Sequence, residues 1–122
     1  MLSSDWREND DFLIRIVKNY FGENAYGFIS HSLDNGQDFF CECQIYRMFF
    51  VRFSLGDIQE GGVLGVDVYI GDWPVDLETL TDWDENISVN FSVESIQKTL
   101  KVLDEYLQWR MTDTQKKTYG LI

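Results

Sequence analysis

Between Tyr26 and Ile70 the apolar residues recur at every second position, and this period limits the fold more than any other feature. Phe39, Cys41, Cys43 and Ile45 share one face, with Glu42 and Gln44 on the other. Phe49, Val51, Phe53 and Leu55 repeat the pattern opposite Arg52 and Ser54. Leu64, Val66, Val68 and Ile70 repeat it again, which puts Asp67 and Tyr69 on the opposite face. Tyr26 to Leu33 alternates more weakly and ends in Asp34-Asn35-Gly36, a hairpin signal whose Asn-Gly takes positive φ. The chain either turns near Tyr46-Arg47 or runs through. Gly56-Asp57 and Gly61-Gly62 bracket a further turn, and Ile87, Val89 and Phe91 form a candidate short strand. A sheet apolar on one side needs something to cover that side.

The flanks supply it. Phe12, Ile16, Tyr20 and Leu13, Val17, Phe21 recur at helical spacing, predicting a helix from about Asp10 to Phe21, capped by Asn9 or Asp10 and stopped by Gly22. After Ser92, a good cap, the residues Ile96, Leu100, Leu103 and Leu107 form one stripe that Met111 extends. The tail beyond Thr112 is expected to fray. The expected fold is α+β: an antiparallel sheet of four or five strands, with an N-terminal helix and a long C-terminal helix packed on one face. The other face is left partly open. With 122 residues, no repeat and no linker-like tract, the expectation is a single domain, 1–122.

Aromatics at 16% exceed what a core of this size requires, so some rings are expected outside it. Charge is more lopsided still. With 21 acidic against 10 basic residues the net charge is −11, which disfavours nucleic acid and anionic membrane and favours a basic partner. No run of about 20 apolar residues exists to span a bilayer. The start, with Asp5, Glu8, Asp10 and Asp11, lacks the basic and apolar regions of a signal peptide, so a cytoplasmic location is expected.

The inventory for catalysis is poor. No phosphate-cradling glycine loop and no nucleophile elbow is present. His31 and Cys41 are candidates to face each other across the Asn-Gly hairpin, but no third group orients the histidine and no oxyanion donors are evident. Cys41 and Cys43, two apart on a strand, are read as reduced core thiols too far apart to bond. With His31 they do not make up the four Cys/His ligands of a structural zinc site. Asp82-Trp83-Asp84-Glu85-Asn86 resembles the start of a calcium loop but has no glycine and places a bulky ring in it. No enzyme activity, metal or cofactor is expected.

The feature that remains is a charge block. Between Arg52 and Lys98 there is no lysine, arginine or histidine, while ten acids fall in the interval. Unbroken like charge destabilises the folded state by self-repulsion, and surfaces evolved only for solubility intersperse the signs. Aromatics set among acids match the anchors and rim of an interface. The candidate partner-binding residues are therefore Asp67, Tyr69, Asp72, Trp73, Asp76, Glu78, Asp82, Trp83, Asp84 and Glu85. The competing reading is a solvated acidic loop with its tryptophans tucked into the core.

An acidic chain of this size that ends in a Ser-Val-Glu-Ser-Ile…Leu-Lys-Val-Leu-Asp-Glu-Tyr-Leu helix resembles the immunity proteins of bacterial contact-dependent growth inhibition and other polymorphic toxin systems. The resemblance is one of style along the chain, without a diagnostic motif. It implies a bacterial protein that binds a cognate toxin domain and blocks its active site, the toxin being a basic protein such as a nuclease. Two alternatives stand beside it. One is an acidic regulator or nucleic-acid mimic that occupies a DNA- or RNA-binding protein, and the other is a small metal-dependent hydrolase built on the same acids.

Overall fold

The computed structural model describes residues 2–33 and 35–122. Five strands form one antiparallel sheet in simple meander order: β1 (Ala25–Ser32), β2 (Phe39–Ile45), β3 (Phe49–Gly56), β4 (Val63–Ile70) and β5 (Trp73–Asp76). Helix α1 (Trp6–Phe21) precedes the sheet. A one-turn helix α2 (Leu77–Leu80), the long α3 (Val93–Trp109) and a short α4 (Asp113–Thr118) follow it. No described helix is long and apolar enough to cross a membrane.

Period two decides which side is covered. Phe39, Cys41, Cys43 and Ile45 on β2, Val51, Phe53 and Leu55 on β3, and Leu64, Val66 and Val68 on β4 are all buried on one face. Against that face lie Leu13 and Val17 of α1 and the predicted stripe Ile96, Leu100, Leu103 and Leu107 of α3, with Met111 beyond it. Both helices therefore pack on one side of the sheet, as its periodicity requires. Ile70, expected inward, is exposed because it lies at the end of β4, past the reach of the helices.

The first helix begins earlier than its apolar pattern indicates. Asp5 is the cap, accepting from the Arg7 N–H at 3.0 Å. Asn9 and Asp10, read as caps, are instead buried within the helix. Asn9 clamps the leading segment, accepting from the Ser3 N–H at 2.8 Å and donating to the Ser3 carbonyl at 2.9 Å. Asp10 accepts from the Ser30 hydroxyl at 2.8 Å, and burial raises its carboxyl above the ordinary range.

The predicted Asn-Gly hairpin joins β1 to β2, with Gly36 at φ +70° and its N–H donating to the Leu33 carbonyl at 3.0 Å; Asp34 lies outside the described residues. The chain does turn at Tyr46-Arg47, and both residues adopt positive φ. Tyr46 is nevertheless buried. Its hydroxyl donates to Asp104 at 2.7 Å, its ring meets the edge of Phe21, and its carbonyl accepts from the Tyr119 hydroxyl. Tyr20, placed on the apolar stripe by spacing, is exposed and donates to the same Asp104 at 3.2 Å.

Two expectations near the end of the chain fail. Residues Ile87 to Phe91 form no strand and contribute one ladder-like bond, from the Leu64 N–H to the Val89 carbonyl at 2.8 Å. The fifth strand is β5, which pairs Ile70 with Trp73 and Asp67 with Asp76. The segment beyond Thr112 is not frayed. A capping box between Thr112 and Gln115 starts α4, and Tyr119 then packs on Tyr46.

Leu103 is fully buried between the helical layer and the sheet. Leu103→Ala should destabilise the fold by about 2–5 kcal/mol, read from its urea midpoint. An unchanged midpoint would remove α3 from the core.

Candidate functional site

The acidic interval does not collect on one surface; it wraps around the β5 edge of the sheet. Asp67 and Tyr69 stand on the open sheet face, opposite the helices. Asp67 accepts from Arg52 Nη2 at 2.9 Å and Nε at 3.1 Å, while the Tyr69 hydroxyl donates to Glu42. Asp72 sits in the β4–β5 turn, and Trp73, which opens β5, is 77% exposed. Asp76 caps α2, accepting from the Thr79 N–H at 2.8 Å, and these bonds from Thr79 lower its carboxyl pKa. Glu78 beside it shifts upward, first through burial and then through the charge of Asp76.

Asp82, Trp83, Asp84 and Glu85 lie beyond α2 on the helical side. Here α2 unwinds through two successive residues at positive φ, Asp82 at 54° and Trp83 at 61°. The Trp83 N–H reaches back to the Glu78 carbonyl at 2.7 Å, a helix-terminating bond that normally accompanies glycine. Trp83 is 73% exposed, so it is not tucked into the core. Asp84 holds the loop by accepting from the Asn86 N–H at 2.9 Å.

This loop forms one wall of a groove of about 340 Å³. Leu80, Asp82 and Asp84 line it on one side, and Glu105, Tyr106 and Trp109 of α3 on the other. Trp109 is 78% exposed. Glu105, Tyr106 and Trp109 are not among the residues that the charge block singled out, because they lie beyond Lys98 on α3. The readable signal was Trp109 itself, a large ring at a helix position off the stripe. Among the described residues, Arg52 is the one cation within ion-pair distance of any acid in the interval.

The structure separates the candidate nucleophile pair. Register sets Cys41 opposite Ser30 and His31 opposite Phe40, so the thiol and the imidazole point to different faces. His31 is exposed and stacks on Phe40 with ring centroids 5.1 Å apart. Cys41 and Cys43 are free and buried on the core side. Among the described residues no three His, Cys, Asp or Glu side chains are placed to hold a metal ion. The arrangement supplies charge and exposed rings for contact with another molecule.

Comparisons with protein-family models, with curated proteins and with solved structures found no match to this chain.

Burial pushes the Cys41 thiol up to about 11 and the Cys43 thiol up to about 12, from an ordinary value of 9.0. In the unfolded chain both thiols lose their protons first. Their contribution to stability is therefore complete below about pH 9 and is lost as pH rises through about 11 to 12. The urea midpoint should fall across that window, and less steeply in a Cys41→Ala/Cys43→Ala variant. Iodoacetamide at pH near 8 should label neither thiol until urea unfolds the chain.

Proposed function

We propose that this chain is a non-catalytic binding protein that captures a basic protein partner. In the setting given by its resemblance to immunity proteins, that partner is a toxin domain, such as a nuclease, held with its substrate-binding surface occluded. The observation that carries the reading is Trp83. A β-branched or bulky residue at positive φ is a backbone outlier, costing on the order of 1–3 kcal/mol. Here that cost holds a large ring in water, between two carboxylates, where it adds little to the core. Neither strain nor exposure helps the free domain. Both suit a ring that is desolvated in a complex, with acids at its rim to speed encounter with a basic surface.

The groove beside Trp83 completes this picture. Trp109 and Tyr106 offer a second apolar contact, and Glu105, Asp82 and Asp84 bring carboxylates that have no counter-charge among the described residues. Uncompensated acids repel one another in the free protein, and a basic partner relieves that repulsion on binding. A nucleic-acid mimic would use the same physics, but the carboxylates here sit on different faces rather than along one phosphate-like row.

The test takes as candidate partner the C-terminal domain of a large secreted protein encoded next to this chain's gene, and measures binding by surface plasmon resonance at two salt concentrations. Wild type should form a complex whose association slows with salt. Glu85→Lys/Glu105→Lys, at exposed positions whose side chains make no hydrogen bond among the described residues, should mainly slow association. Trp83→Ala should mainly speed dissociation and weaken binding by at least about 2 kcal/mol, with an unchanged urea midpoint because the ring is exposed. Glu8→Lys/Asp11→Lys on α1 should bind as wild type does. Absence of a complex, or wild-type kinetics from folded groove variants, would overturn the proposal.

A further inference from the structure

The open face of the sheet carries a second feature, outside the groove. Its side chains fall into cross-strand rows. One row runs Ile29, Glu42, Arg52, Asp67, Asp76 from β1 to β5. The next contains Tyr26, Gln44 and Phe50, with Tyr69 and Pro74 continuing on β4 and β5. No helix covers these rows. Phe50 is 56% exposed on central strand β3, and Ile29 is 60% exposed on β1, with β2 between them.

Between the rows lies a depression of about 400 Å³, lined by Ile29, Glu42, Gln44, Phe50, Tyr69 and Asp72. A β-bulge opens its β1 side. Tyr26 pairs with Gln44 and Ile29 with Glu42, so two residues of β1 face one of β2, and Gly27 takes φ +71° there. A bulge of this kind re-aims the next side chain, here Ile29.

Charge in the depression is unbalanced. Arg52 lies across from Glu42 in the register, yet its guanidinium is committed to Asp67 through two bonds and lies over the Phe40 ring. Glu42 receives the Tyr69 hydroxyl but, among the described residues, no cation; nor does Asp72. A carboxylate accepts up to about four hydrogen bonds, so Glu42 retains capacity.

The class of occupant follows from this lining. An anion is repelled by Glu42 and Asp72, the two acids of the lining. A purely apolar surface would bury carboxylates without partners, which is costly. A second copy brings another charge of −11. A flat cation with apolar faces and several N–H donors satisfies both the rings and the acids, and that description is a guanidinium.

We propose that the depression on the open sheet face seats an arginine side chain of the partner, its plane against Phe50 and Ile29 and its N–H groups on Glu42 and Asp72. This rests on the reading of the partner as basic, and it adds a contact on the side of the sheet opposite the Trp83 groove.

The probe is a short glycine peptide with one central arginine, titrated into the full chain and followed by NMR. Its citrulline and lysine counterparts are titrated in parallel. The arginine peptide should shift the Ile29 methyl and Phe50 ring signals saturably, the lysine peptide should bind more weakly, and the citrulline peptide should leave them unmoved. Glu42→Gln retains an acceptor for Tyr69 while removing the charge, and Phe50→Thr retains a strand-forming residue. Each should weaken binding by about tenfold or more, with circular dichroism unchanged. Equal shifts from arginine and citrulline, shifts confined to the Asp82 to Glu85 loop, or wild-type affinity in both variants would overturn the proposal. So would a dimer, seen by sedimentation, that Phe50→Thr dissociates. The outcome is separable from that of the capture reading: a toxin domain that binds normally to Glu42→Gln and Phe50→Thr but poorly to the groove variants removes this site alone.

Discussion

The buried side chains of β2, β3 and β4 all point one way, and α1 and α3 close over them with Leu13, Val17, Leu100, Leu103 and Leu107. This one-sided burial supplies most of the hydrophobic stabilisation, and every other feature is arranged around it. Because both helices go to one face, no helix among the described residues covers the opposite face. Arg52 and Asp67 pair there, at the centre of an uncovered sheet, and Phe50 and Ile29 stay in water. The same commitment leaves β5 as an edge strand. Its four residues include Pro74 and end in Asp76, which blunts the edge against pairing with another sheet.

A net charge of −11 on such a frame costs stability, and the acids are placed so that the cost is spread. Asp76 and Asp84 are consumed in holding backbone at the end of α2 and in the loop after it. Asp67 is neutralised by Arg52. Glu42, Asp72, Asp82, Glu85 and Glu105 are left with no counter-charge among the described residues, divided between the two sides of the sheet. Part of the uncompensated charge thus flanks two concave surfaces, and each of those surfaces also exposes an aromatic ring.

The sheet and the long helix were legible because their signals are periodic and local: alternation across Phe39 to Val68, and the Ile96 to Leu107 stripe. The β5 strand was not, since Trp73-Pro74-Val75-Asp76 is short, includes a proline and alternates no apolar face. Asn9 and Asp10 misled because cap residues and buried polar residues have the same composition, and only the positions of Ser3 and Ser30 distinguish them. The Thr112 to Gln115 capping box was local and readable, and was outweighed by the expectation that chain ends fray. For the site, the sequence indicated the acids and the rings Trp73 and Trp83. It did not reveal that the Asp82 loop faces Glu105 and Trp109, because that adjacency is made by packing across more than twenty residues of chain.

Among the described residues five that are not glycine adopt positive φ, Asp57 alone and the others as two consecutive pairs, and the difference between the pairs bears on the proposed function. Tyr46 and Arg47 make the tight β2–β3 turn. There the strain is offset inside the chain: Tyr46 is buried, bonded to Asp104, packed against Phe21 and Tyr119, and held by the Tyr119 hydroxyl. Removing Tyr46 would empty a filled site, so its backbone conformation is a cost of packing. Asp82 and Trp83 have no such return. Their backbone bonds to α2 would form equally well with glycine, and the Trp83 ring stays in solvent. Strain at a residue whose side chain is mostly exposed has no counterpart in the packing of the described residues, and it is this that the proposed capture of a partner would account for. By the same argument the Trp83 loop should be the part of this surface most ordered by a partner, while the strained Tyr46 turn should not respond.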